Sequence, residues 1–267
     1  MNFETFTVDV STSENLTRQH IATEDVNGTD ESLAKAVSVF RRLAGSADDW
    51  PSKMVWEPCE IPSSGRLVVS CTHPDGSTSK QRRLVDRWCE ALPSFTGLRH
   101  LYFRSRVPQR LFDAACHVPG LETLYIKHSG IKTLEAIENA SALTDLALGS
   151  SRGVECIKPL LSLKALRCLE IENLLRIKRL DPLASLKELS WLCIMSGMWT
   201  THHVESIAPI GELVNLRVLT LGGVRAADRT LSPLFSLKQL EVLRIGKQWD
   251  AQEVAELKRL NPGLVVL

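Results

Sequence analysis

The sequence predicts an α/β solenoid. It has a curved parallel sheet on the concave side, short helices or 3₁₀ turns on the convex side, and an irregular α+β cap at its N-terminal end. Three observations predict it. The pattern Leu-x-x-Leu-x-Leu, with Ile or Phe accepted last, begins at Leu98, Leu121, Leu143, Leu166, Leu189, Leu216 and Leu240. The starts lie 23, 22, 23, 23, 27 and 24 residues apart, and after a further 24 a shortened copy runs from Leu264 to Leu267. Four units share a proline at one place, in IKPLLSL, LDPLASL, IAPIGEL and LSPLFSL. Self-similarity at this period means that each unit buries its leucines only against its neighbours, so the chain stacks into a one-dimensional array.

Each element follows from local chemistry. Successive side chains of a strand point to opposite faces, so the motif leucines enter the core and the residues between them face the concave surface. After each strand, Pro159, Pro182, Pro209 and Pro233 fit the first turn of a helix, where the missing N–H has no work to do. The residue before each proline is driven out of the helical region, which sharpens the corner. Leucines three apart beyond it, such as Leu160, Leu163 and Leu166, point that short turn inward.

The strand motif and its spacing resemble the leucine-rich repeat family, nearest to the short, about 22-residue bacterial class seen in internalin-like proteins. The resemblance covers residues 98–267 and implies a solenoid that binds through its concave face. One family feature is missing. An Asn usually follows three residues after the last strand leucine, where its side chain satisfies backbone groups in the turn. Here that place holds Arg106, Ser129, Ser151, Leu174, Gly197, Val224 and Gln248. The expectation is a less regular ladder that leans on Ser hydroxyls and water.

Upstream of the repeats, residues 1–30 lack periodicity and read as a loosely ordered segment. Residues 31–97 read as the cap that an open solenoid needs at its apolar end. Leu33, Val37, Phe40 and Leu43 recur at helical intervals, with Asp30 or Ser32 as the cap and Gly45 as the stop. A loop rich in Pro and Trp follows. RLVVSCTH then reads as a strand, HPDGS as a turn, and SKQRRLVDRWCEAL as an amphipathic helix with Leu84, Trp88 and Leu92 on one face.

Composition narrows the function. The 267 residues are 44% hydrophobic and 24% charged, with a formal net charge of +1. Such a balance argues against a general binder of nucleic acid or membrane. The start, MNFETFTVDV, has neither a basic nor an apolar signal region, and seven cysteines without a Cys-x-x-Cys pair read as reduced thiols of a cytoplasmic protein. No GxSxG, phosphate-cradling glycine loop or HExxH is present, so the chain reads as no enzyme and as needing no cofactor. The closest nucleophiles, Cys168 and Cys193, lie near Glu170, which would raise rather than lower a thiol pKa.

The alternation rule maps the binding face. Repeat one presents His100, Tyr102 and Arg104, and repeat two presents Tyr125 and Lys127. Asp145, Glu170 and Glu172 follow, then Trp191 and Met195, and finally Arg244. The face runs from basic and aromatic through acidic to apolar, with residue types enriched at protein interfaces. Tyr102 and Tyr125 also fit as a cross-strand stacked pair. The 27-residue unit places its extra length in a loop over 195–203, which adds Met198, Trp199 and His202 to the predicted site. His202 and His203, being adjacent, point apart and make a poor chelate, so no metal is expected.

The expected function is therefore a non-enzymatic, cytoplasmic, bacterial protein-binding module. A specific version is an immunity or inhibitor protein that covers a toxin or enzyme. A scaffold or adaptor role is the alternative. Nucleic-acid binding through residues 80–110, with eight Lys or Arg, is another, although pairing of this stretch with the acidic first fifty residues fits it better. The expected state is a monomer, with dimerisation through the C-terminal strand edge as the alternative.

Overall fold

The computed structural model describes residues 54–267 except 60, 62, 72–75 and 198. The expectations for residues 1–30, for the helix over 31–43 and for Met198 fall outside the described residues. A nine-stranded parallel sheet forms the body. Its strands, in spatial order, are β1 (Arg66–Val69), β2 (His100–Pro108), β3 (Thr123–Gly130), β4 (Asp145–Gly149), β5 (Cys168–Glu172), β6 (Trp191–Met195), β8 (Val218–Gly222), β10 (Val242–Ile245) and β11 (Val265–Val266).

In-register pairing lines the motif residues into two buried columns. Leu101, Leu124, Leu146, Leu169, Leu192, Leu219 and Leu243 form one; Phe103, Ile126, Leu148, Ile171, Ile194 and Leu221 form the other. The cap strand β1 joins the same ladder, because Leu67 pairs with Leu101 and Val69 with Phe103. Helix α1 (Thr78–Ala91) closes this end. Ser77 caps it by accepting from the Lys80 N–H, and buried Trp88 donates its indole N–H to the Trp56 carbonyl at 2.6 Å.

On the convex side, each shared proline is the second residue of a 3₁₀ turn: Lys158–Ser162, Asp181–Ser185, Ala208–Glu212 and Ser232–Ser236. Glu135–Asn139 adopts the same turn without proline, so the buried Ile137, rather than the imino acid, is the common requirement. The first and last units use α-helices instead, α2 (Gln109–Cys116) and α3 (Ala251–Leu260). Asp250 caps α3 by accepting from the Gln252 and Glu253 N–H groups, while Lys258 and Arg259 suit its negative end.

Two expectations are corrected. The last motif copy pairs one residue out of step: Val265 faces Val242 and Val266 faces Leu243. Val266, not Leu267, thus continues the leucine column, and Leu267 falls on the concave side. The tight turn at Asn261, whose carbonyl accepts the Leu264 N–H at 2.8 Å, removes the residue that would have restored register. The 27-residue unit, in turn, forms more than a loop. Its β7 (His202–Val204) pairs with β9 (Val224–Ala226) in a second, two-stranded parallel sheet.

The missing Asn ladder is replaced piecemeal. The hydroxyls of Ser129 and Ser151 hydrogen-bond each other, and Ser129 also accepts the Ile131 N–H. Gln248 reaches back to donate to the Val224 carbonyl at 2.8 Å. Between them, at Leu174 and Val224, the position is apolar and buried.

Candidate protein-binding face

The concave side of the sheet gathers the predicted residues in rows set by strand register. At the N-terminal end, the His100 ring nitrogen Nδ1 hydrogen-bonds the Thr123 hydroxyl at 2.9 Å. Burial, then the nearby Arg66 charge, push the His100 pKa down, so this imidazole is neutral at physiological pH. Tyr102 and Tyr125, paired across β2 and β3, meet edge to face with centroids 4.6 Å apart. Tyr102 is only 4% exposed, so the stacked-pair reading holds for it, while Tyr125 is half-buried and still reachable. A bulge follows, in which Arg104 and Ser105 of β2 oppose Lys127 alone. Ser105 turns inward, its hydroxyl accepting the Cys71 N–H at 2.7 Å, and Arg104 remains half-buried.

The middle of the face is small and acidic. Asp145 accepts the Thr144 hydroxyl at 2.7 Å, and Glu170 and Glu172 are half-buried. Gly149 ends this stretch because a Cβ there would lie 2.3 Å from the Lys127 carbonyl oxygen.

Beyond it the floor becomes apolar. Trp191, Cys193, Val218 and Val242 form a cluster separate from the solenoid core, with Cys168, Met195 and Leu267 packed against it. Trp191 is 8% exposed because its neighbours in the row, Cys168 and Val218, flank it on both sides. Burial, then the Glu170 charge, push the Cys193 thiol pKa well up despite the opposing Arg244 guanidinium. That thiol stays protonated and is a packing group rather than a nucleophile.

No protein-family profile matches this sequence, and no curated protein matches it. Among solved structures, the fold is similar to an internalin C2 of Listeria monocytogenes, at TM-score 0.52 and 23% identity over 67% of this chain and 74% of that one. A second internalin of Listeria monocytogenes (inlF) is similar at TM-score 0.51 and 26% identity, over 63% of this chain. This chain spans about half, 48%, of that protein's length. The fold is a leucine-rich-repeat solenoid.

The solenoid brings His100, Tyr102, Arg104, Tyr125, Lys127, Asp145, Glu170, Glu172, Trp191, Met195 and Arg244 onto one sheet face, as the alternation rule requires. Trp199 stands apart on the rim after β6, 91% exposed. His202 is a correction. It belongs to β7, is fully buried, and hydrogen-bonds the Ile177 carbonyl through Nε2 at 2.7 Å, so it holds the wall together and cannot touch a partner. Its neighbour His203 is exposed, the alternation of a strand. Trp249 is drawn into the core.

The basic stretch before and within repeat one is partly neutralised by local acids, while its expected pairing with the first fifty residues falls outside the described residues. Arg87 pairs with Glu57, Arg99 with Glu122 and Arg110 with Asp86. Among the described residues there is no cluster of three His, Cys, Asp or Glu that could hold a metal, and no helix long and apolar enough to cross a membrane. The structure adds Val218, Val242 and Leu267 to this face, none of them among the site residues that the sequence predicts. The signal for the two valines was β-branched apolar residues at two successive concave positions. Leu267 was hidden by the one-residue register step.

Proposed function

We propose that this solenoid is a protein-binding module that grips one partner across its concave face and the Trp199 rim. The observation that carries the reading is the 91% exposed indole of Trp199 on the rim of a sheet face where Tyr125, Lys127, Glu170, Glu172, Met195 and Arg244 stay only half-buried over a packed apolar floor. Aromatic, Met and Arg side chains that stay reachable on one face are the types enriched at protein interfaces. The exposed indole of Trp199 supplies an anchor of the type that dominates affinity. Support for a reducing, cytoplasmic setting comes from seven cysteines that are all free.

The specific role proposed is that of an inhibitor or immunity protein, which needs a grip on one partner and no chemistry of its own. It acts as a monomer, and light scattering at tens of micromolar that gave a dimer mass would contradict that. The test is capture of a partner by the wild type and by a folded Tyr125→Ala, Glu170→Gln, Trp199→Ala variant. A protein held by the wild type and lost by the variant supports the face; equal capture by both sinks it. Purified, that partner should lose its activity at 1:1 stoichiometry. If it binds with its activity unchanged, the scaffold reading replaces inhibition.

A further inference from the structure

We infer that a cleft on the flank of the solenoid, between β9 and the turn that leads into α3, is a binding site for a phosphate group. The cleft encloses about 220 Å³ and is lined by Arg225, Ala226, Arg229, Gln248 and Trp249. Its construction follows from the second sheet. Pairing with β7 makes a strand of Val224–Ala226, so Val224 and Ala226 turn inward and Arg225 between them is exposed. Arg229 then takes a left-handed backbone conformation, φ 52°, in a turn whose N–H donates to the Ala226 carbonyl at 3.3 Å. That reversal returns a second guanidinium to the same cleft.

Among the described residues neither arginine side chain makes a hydrogen bond or an ion pair, whereas Arg217 and Arg259 engage Glu241 and Glu256. The acids closest in sequence are committed elsewhere: Asp228 accepts from the Ser206 hydroxyl and Asp250 caps α3. Neither lines the cleft. The third element is Trp249, 7% exposed, which lines the cleft and whose buried indole N–H finds no acceptor among the described residues. Gln248 holds this wall in place through its bond to the Val224 carbonyl.

The two guanidinium forks are donors only, so the ligand is an acceptor-only group of high charge. A carboxylate would neutralise only one arginine; a phosphate monoester carries roughly −1.5 to −2 at pH 7 and three acceptor oxygens. The volume lies below the ~300–1,000 Å³ of pockets that enclose a drug-sized ligand, which excludes a whole nucleotide and admits a phosphoryl group. Its source is either free phosphate or a phosphorylated side chain. The inference does not depend on the concave-face reading.

The full chain is titrated with sodium phosphate, with sodium chloride at matched ionic strength, and with a short phosphoserine peptide beside its unphosphorylated twin. The indole N–H resonances and Tm are followed. The expected result is a saturable shift of the resonance that Trp249→Phe removes, with binding at least tenfold weaker in Arg225→Gln/Arg229→Gln. Because phosphate also stabilises proteins by exclusion, only the difference between wild type and that double variant counts. Both arginines are exposed, so the double variant should keep its Tm in chloride within about 2 °C. Tighter binding of the phosphopeptide assigns a protein-borne phosphate; equal or weaker binding assigns the free ion. No saturable response to either ligand, or equal responses in wild type and double variant, overturns the site.

Discussion

Trp191 and Trp199 lie eight residues apart in sequence and should respond to alanine in opposite ways. A tryptophan side chain buries about 150–250 Å², which at about 25 cal/mol/Å² gives roughly 4–6 kcal/mol for complete burial. Extended-chain areas overstate the true change, and the hole left by Trp191→Ala opens onto the concave surface rather than inside a sealed core. Its loss therefore belongs near the low end of the range for Trp→Ala, about 3 kcal/mol. At about 2–4 °C per kcal/mol for a body of this size, Tm should fall by roughly 6–12 °C. Trp199, 91% exposed, should change stability by no more than about 0.5 kcal/mol. Urea and thermal unfolding of both variants, followed by far-UV circular dichroism, reads the contrast directly. A loss below about 1 kcal/mol for Trp191→Ala would refute the reasoning. The ring would then not be held between Cys168 and Val218, and the floor would not be packed.

Three other outcomes are expected. Burial lowers the His202 pKa in the folded state, so unfolding takes up a proton below about pH 6.5; its stabilising contribution is complete above that pH and is lost as pH falls through the depressed folded value. Urea midpoints between pH 7 and 5 should accordingly drop more steeply for the wild type than for His202→Asn, and coincident slopes would contradict this. Ser151→Ala should cost about 1 kcal/mol, and adding Ser129→Ala should cost less than the two single losses together, since both remove one hydrogen bond; strict additivity in a double-mutant cycle would count against the serine link. Iodoacetamide should modify the exposed Cys59 and Cys156 first, and Cys71, whose thiol burial pushes up to about 12, along with Cys116 and Cys193, only in denaturant. Mass spectrometry of the early adduct would expose an error if Cys193 appeared in it.

Much of the fold was legible because period and alternation are local properties. Seven motif copies became β2, β3, β4, β5, β6, β8 and β10, and four prolines marked four convex turns. The amphipathic face of Leu84, Trp88 and Leu92 likewise located α1 and its junction with repeat one. What failed was non-local. His202 looked like a loop residue because β7 exists only through pairing with Val224–Ala226, more than twenty positions away. Leu267 looked like core because the turn at Asn261 shifts register in a way the leucine spacing conceals. The flank cleft was unreadable for the same reason: Arg225 and Trp249 meet only when successive repeats stack.

The second sheet also changes what the rim can do as a physical object. With β6 paired on one side and β7 on the other, the chain is held before and after Trp199, further tied by the Ser196 N–H to the Gly222 carbonyl at 2.8 Å and the Thr200 N–H to the Gly197 carbonyl at 3.0 Å. A free loop that closed on a partner would have to surrender roughly 1–2 kcal/mol of backbone entropy for each residue ordered. Here folding has already removed much of that freedom. Trp199 should thus arrive at an encounter in a near-final position, and its contribution should appear mainly as a slower departure of the partner.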